Sequence, residues 1–181
     1  MSEEGLEDRI ASCSPGLFVG PGFRHQPPGF DPLSGEGARR AGGRCNPPDS
    51  FPVLYLCLST ACVRAELDRS AAQQGLAVED LLPREVYRIE LALDRVLDLR
   101  SEEVLGKLGV ELDDLLARDL SEPRRIGALA HELNIQALIL PSATGVGQVI
   151  AVFVRNIGTG TAQPHLDQVW SSREDLPSLT S

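Results

Sequence analysis

Arg24, Arg44, Tyr55, Glu66 and Ser142 are the side chains in this sequence whose types and surroundings could do chemistry. Three of them fall in one short stretch, GGRCNPPDSFPVLYLCLSTACVRAEL (42–67), and the other two stand in Gly- and Pro-containing segments on either side. An arginine is a planar, permanently charged fork that binds a diphosphate or a carboxylate through paired hydrogen bonds. In a Gly-Gly-Arg turn it can equally be a solvated loop residue. A tyrosine in mid-strand is either a core residue with a bonded hydroxyl or a flat face for stacking. Glu66 lies four residues from Cys62, on a helix face made of small residues, where an unpartnered carboxylate costs on the order of several kcal/mol. It must therefore pair with Arg44 or Arg24, or face a cleft in which it can stabilise positive charge. Ser142 sits in PSATG, a good turn sequence, with no Gly-x-Ser-x-Gly elbow around it, so an acyl-transfer nucleophile is not expected there. Gly145-Val-Gly147 has no third glycine and no helix after it, which excludes a dinucleotide-binding fingerprint of the Rossmann type.

Several elements must position these groups. The segment from Pro15 to Ser50 is so rich in Gly and Pro that it reads as a long shaped loop with at most one short strand near Phe23. FPVLYLCL (51–58) is a short apolar run, as expected of a strand covered on both faces. Ser59 or Thr60 can cap the helix that follows. VYRIELALD (86–94) alternates, with Tyr87, Ile89, Leu91 and Leu93 on one face. Two short amphipathic helices come next, the first capped by Ser101. A better helix opens at Ser121, carries Ile126, Leu129, Ala130 and Leu133 on one stripe and stops at Asn134. QALILP and QVIAVFV read as strands joined by a glycine-rich linker that lets backbone approach a ligand. A final edge strand near Val169 is left open, and the chain frays from Arg173. The order of elements predicts an α+β domain on a small mixed or antiparallel sheet with flanking helices.

A chain of 181 residues suits one domain. Its net charge of -9 argues against direct nucleic-acid binding and leaves room for a basic protein partner. No apolar run is long enough to span a membrane, and the acidic start MSEEGLEDRI is unlike an export signal, so a cytoplasmic protein is expected. Cys13, Cys45, Cys57 and Cys62 form no CxxC pair and the three histidines are far apart, so the expectation is free thiols and no metal.

Taken together, Arg44 in GGRCNPP, Tyr55 in VLYL, Glu66 in VRAEL and Ser142 in LPSA resemble the RES domain, a family named for its Arg, Glu and Ser. Arg24 in FRHQ matches an arginine near the start of that domain. The resemblance runs from about Phe23 to Val154. It implies a fold similar to ADP-ribosyltransferases, with an N-terminal extension over 1–20 that can be flexible, an NAD-binding domain over 21–172 and a flexible tail over 173–181. It also implies a toxin of the RES–Xre toxin–antitoxin class that consumes NAD by cleaving the nicotinamide–ribose bond. Water, inorganic phosphate or a protein can be the acceptor, and a helix-turn-helix antitoxin of the Xre type is the partner; the oligomeric state, a homo-oligomer included, stays open. On this resemblance Glu66 is the catalytic carboxylate, Arg44 and Arg24 hold the pyrophosphate, Tyr55 stacks on the nicotinamide or its ribose, and Ser142 donates a hydrogen bond to substrate. Two positions depart from the family pattern. Cys45 replaces a common aromatic residue, and Gln148, counted with the NAD-binding residues, replaces a common Asn. These departures keep open a degenerate domain that acts as a binding module.

Overall fold

The computed structural model describes residues 3–179; the outermost residues of the expected extension and tail, 1–2 and 180–181, lie outside the described residues. The chain runs α1 (Glu3–Ser12), β1 (Gly16–Gln26), α2 (Glu36–Ala41), β2 (Val53–Cys57), α3 (Thr60–Gln73) and β3 (Arg84–Asp98). It continues through α4 (Glu102–Leu108), α5 (Leu112–Leu116), α6 (Ser121–Glu132), β4 (Ala137–Pro141), β5 (Gln148–Phe153) and β6 (Ala162–Trp170). The strands form one mixed sheet in the order β1-β2-β5-β4-β3-β6, and β1 also pairs with β3, so the sheet curls back on itself. Only β3 and β4 run parallel; every other pair is antiparallel. The expected α+β architecture with a small mixed sheet and flanking helices is the one observed.

Strand alternation divides the core. Leu54 and Leu56 of β2, Ile89, Leu91 and Leu93 of β3, and Ile150 and Val152 of β5 fill the concave side of the curled sheet. The intervening residues Val53, Leu138, Leu140, Ala151 and Phe153 point outward, against α1, α4, α5 and α6. Cys62, Val63 and Leu67 attach α3 to a third cluster with Cys57, Val86 and Trp170. Both faces of β2 are covered, as its unbroken apolar run requires.

The first fifty residues differ most from expectation. β1 is an eleven-residue strand paired along its length with β3, from Gly16↔Val96 to Gln26↔Glu85. Gly22 is there for packing rather than turning: a Cβ on it would come within 2.8 Å of the Leu56 side chain. The N-terminal extension contains α1, whose Leu6 and Ile10 are buried between α4 and α6, and Arg9 Nη1 donates to the carbonyl of Leu108 at 3.1 Å. Later elements follow the sequence signals. Ser59 caps α3, accepting from the Cys62 amide at 3.2 Å, Ser101 caps α4, and Asn134 ends α6 at φ 58°. The strand left open near Val169 is β6, paired with the first half of β3.

α6 is pressed against the segment that carries Arg44. A Cβ on Gly127 would overlap the carbonyl of Cys45 and lie 3.0 Å from its Cα, and backbone cannot yield as a flexible side chain can. Gly127→Ala is expected to destabilise the fold by about 1–3 kcal/mol, the usual cost of overpacking, despite alanine's better helix propensity. Urea unfolding of the two proteins measures it, and an equal or higher midpoint for the alanine variant contradicts this packing.

Candidate active site

A cleft of about 350 Å³ opens between β1, β2, α3 and the loop after α2. Phe23, Tyr55, Val63, Leu140 and Val149 supply apolar wall, and Arg24, His25, Arg44, Glu66 and Arg69 supply polar and charged groups. Glu66 is the one carboxylate among the lining residues.

Residues 42–48 have no regular structure, and the Tyr55 side chain organises them. Its hydroxyl donates to Asn46 Oδ1 at 2.8 Å and accepts from the Cys45 amide at 2.8 Å. Asn46 is fully buried and its Nδ2 donates to the carbonyl of Ala38 at 2.8 Å. Gly43 lies against the Tyr55 ring too closely for any side chain, and Gly42 turns with φ 73° beside Pro48. The loop is tied on its far side as well: Arg124 Nε donates to the Gly43 carbonyl at 3.0 Å. Arg44 then reaches across to α5, where its Nη1 donates to the carbonyls of Leu115 at 2.6 Å and Ala117 at 3.2 Å. Among the described residues it has no carboxylate in ion-pair contact, and burial together with the neighbouring Arg69 charge pulls its pKa below the usual arginine value. Arg24 is similarly tied to backbone, donating from Nη1 to the carbonyls of Pro32 and Ser34, both at 3.2 Å, and burial lowers its pKa too.

Glu66 faces the cleft; neither of the expected ion pairs with Arg44 or Arg24 forms. Ser142 Oγ donates to Glu66 Oε1 at 2.8 Å, and Arg69, one turn further along α3, stands 3.7 Å from Oε2. Ser142 Oγ and Thr144 Oγ1 are 2.6 Å apart. With the Ser142 proton given to Glu66, Thr144 is the donor in that pair. The amides of Thr144 and Val146 donate to Ser142 Oγ at 3.1 Å and Thr144 Oγ1 at 3.2 Å, which fixes the chain of hydroxyls. Ser142 itself is 2 % exposed and does not line the cleft. In this geometry it positions Glu66, where a direct hydrogen bond to substrate was expected of it.

Gln148 is not brought to the cleft. Neighbouring residues of a strand point to opposite faces. Val149 lines the cleft, while the Gln148 side chain accepts from Arg100 Nη1, a guanidinium already paired with Asp98. Cys45 is also turned away: it is fully buried behind the Arg44 loop, outside the lining residues, and burial pushes its thiol up to about 12. Both departures from the family pattern thus fall outside the cleft wall. The four cysteines are free.

Sequence reasoning missed Asn46, Arg69, Thr144 and His25. Asn46 was visible in GGRCNPP but nothing in one sequence ties it to Tyr55. Arg69 could have been found from its i+3 spacing to Glu66. His25 carries no signal, because the glycines and proline of Gly16–Gln26 hide the strand that sets its direction. It lines the cleft with Nδ1 buried and, among the described residues, without a hydrogen-bond partner. Burial and the charges of Arg84 and Arg24 push its pKa down to about 4, so the ring is neutral at physiological pH.

A curled mixed sheet thus gathers two arginines held by backbone carbonyls, a tyrosine and a single carboxylate held by a serine around one cleft. The chain belongs to the RES domain family, whose model matches residues 21–172. The NAD(+) phosphorylases MbcT of Mycobacterium bovis and Mycobacterium tuberculosis are 33% identical to it over 163 residues, covering 89% of this chain and 88% of theirs. The crystal structure of the M. tuberculosis MbcT–MbcA toxin–antitoxin complex contains a chain that matches with a TM-score of 0.82 and 32% identity over 93% of each chain.

Two outcomes follow from the site's packing. Tyr55→Phe removes the partner of both the Cys45 amide and Asn46 Oδ1, so unfolding free energy should fall by about 1–3 kcal/mol; an unchanged urea midpoint contradicts the organising role of the hydroxyl. His25 has an unfolded pKa near 6.5 and a folded value of about 4. Between these values the unfolded chain holds more protons, so this contribution to stability is complete above about pH 6.5 and is lost as pH falls toward 4. Thermal melts from pH 7.5 to 4.5 should show a shallower slope for His25→Asn than for wild type. The stacked His131, whose pKa burial also lowers, contributes equally to both proteins.

Proposed function

We propose that this chain is a cytoplasmic toxin-like enzyme that cleaves the nicotinamide–ribose bond of NAD, with inorganic phosphate as acceptor. A cognate helix-turn-helix antitoxin of the Xre type neutralises it, and residues 21–172 form the NAD-binding domain with α1 packed onto it. The observation that carries this reading is Glu66: one carboxylate, held by Ser142, in the wall of a cleft that also presents Tyr55 and Arg44. The similarity to NAD(+) phosphorylases over most of both chains supports the same reading.

The chemistry fits a single carboxylate. As the C1′–N bond breaks, the electron pair moves onto the pyridinium nitrogen and nicotinamide leaves as a neutral molecule. No general acid is needed, unlike the two-carboxylate arrangement of most glycoside hydrolases. Positive charge develops on the ribose, and Glu66 stabilises it electrostatically within a largely apolar cleft. A phosphate oxygen then forms the new bond to C1′, giving ADP-ribose 1″-phosphate. Tyr55 presents a face to the nicotinamide or its ribose, and Arg44 with Arg24 holds the diphosphate, so that remote binding energy fixes the reacting ribose. Ser142 and Thr144 keep Glu66 aimed.

Purified wild type and Glu66→Gln should be incubated with NAD, with and without phosphate, and the products weighed. The expected result is phosphate-dependent NAD loss by wild type and a rate lower by about a hundredfold or more in the variant. Full turnover by a folded Glu66→Gln protein refutes the assignment of Glu66. Turnover independent of phosphate assigns water as acceptor, and radiolabel from NAD appearing on protein assigns transfer instead.

A further inference from the structure

A second space beside the cleft has no part in this mechanism. Gly43, Arg44, Arg69 and Ala143 line both spaces, and beyond them a groove of about 770 Å³ continues past Ala117, Arg118 and Arg124. Four guanidinium groups border the groove, those of Arg44, Arg69, Arg118 and Arg124, and no carboxylate does. Two are fixed by backbone: Arg124 by the Gly43 carbonyl, and Arg44 by the carbonyls of Leu115 and Ala117. Arg69 leans weakly toward Glu66 at 3.7 Å, and among the described residues Arg118 is exposed with neither a hydrogen bond nor an ion pair. In a chain of net charge -9, this is a local concentration of positive charge with little to neutralise it.

We propose that this groove is a phosphoryl-binding site for the substrates of the reaction, with Arg118 and Arg124 as its outer ligands. The inference rests on the NAD-cleaving reading above and extends it. A space of about 350 Å³ is near the lower end of pockets for drug-sized ligands, and a dinucleotide is larger than such ligands. With the nicotinamide ribose at Glu66, a diphosphate held by Arg44 lies at the border of the two spaces, and the side bounded by Arg44 and Arg69 adjoins the groove. Inorganic phosphate has the same chemistry and could use the same cations on its way to the ribose carbon. Arginine forks match phosphate oxygens in pairs, which a row of lysines would not do.

Arg118 is the residue to change, because it is exposed and ties down nothing else. Arg118→Glu and Arg118→Lys should be compared with wild type in two ways: KM for NAD and KM for phosphate measured separately, and binding of ADP and of inorganic phosphate, neither of which alone is turned over, by calorimetry. The expected result at low salt is an increase of about three- to tenfold in one KM for Arg118→Glu, with kcat within about twofold, a smaller increase for Arg118→Lys, which keeps the charge and loses the fork, and a smaller effect at high salt. A raised KM for NAD with weaker ADP binding places the dinucleotide's diphosphate in the groove; a raised KM for phosphate with weaker phosphate binding places the second substrate there. Unchanged binding of both probes and unchanged KM values for Arg118→Glu overturn the proposal. If wild type consumes no NAD, the functional reading fails by itself, and ADP and phosphate binding still decide the groove.

Discussion

The hydrogen bonds of the Tyr55 hydroxyl to Asn46 and to the Cys45 amide are the interaction on which the cleft depends. Residues 42–48 contain two glycines and two prolines and form no ladder of their own; the Gly43 amide donates to the Asn46 carbonyl at 2.9 Å and closes a turn, but that bond does not place the turn against the sheet. A rigid central strand does. β2 is covered on both faces and paired with β5 along its length, and it presents Tyr55 as a post on which the loop is hung. Gly43 permits the close approach, Asn46 links the post to α2, and Gly127 lets α6 close from behind. The direction of the Arg44 guanidinium is the outcome of all these contacts. A buried polar knot of this kind is costly unless fully satisfied, and here both hydroxyl functions of Tyr55 have partners.

The second constraint is electrostatic, and it separates two ways of keeping a carboxylate in a partly buried place. An arginine donating paired hydrogen bonds would hold Glu66 but also largely neutralise it. Ser142 holds Glu66 with a neutral donor instead, and half-buried Arg69 makes a long 3.7 Å ion pair with the other carboxylate oxygen, without a hydrogen bond. The negative charge therefore remains available to a cation developing in the cleft. The arginines meanwhile are held by carbonyl oxygens, whose partial charges orient a guanidinium without cancelling it.

What was legible in the sequence was whatever depends on local pattern. The β2 run, the Ser59 cap, the alternation of β3 and the stop at Asn134 are all short-range signals. Glu66 announced itself as misplaced on a face of small residues, and that anomaly led to the cleft. β1 was hidden because Gly20, Pro21 and Gly22 look like turn residues, whereas Gly22 is small so that Leu56 can pack over it. Such a requirement comes from a strand thirty residues away in sequence and leaves no local trace. The same reason accounts for Ser142 and Gln148. Their identities fit a binding role, but whether a side chain points into a cleft or away from it is decided by strand register and by the partner waiting on the other side, Glu66 in one case and Arg100 in the other.

The arginine loop also links the cleft to α5. Arg44 stands on the border between cleft and groove, with its Nη1 on the carbonyls of Leu115 and Ala117. An anion drawing on the same guanidinium competes with those carbonyls or shares the group with them. Cleft, groove and the end of α5 thus meet at a single side chain. The path runs from a tyrosine in a central strand, through a loop without regular structure, to a helix end. Its stiffness at one end and its freedom at the other are set by burial: Asn46 and Cys45 are fully enclosed, and Ala117 and Arg118 lie in solvent.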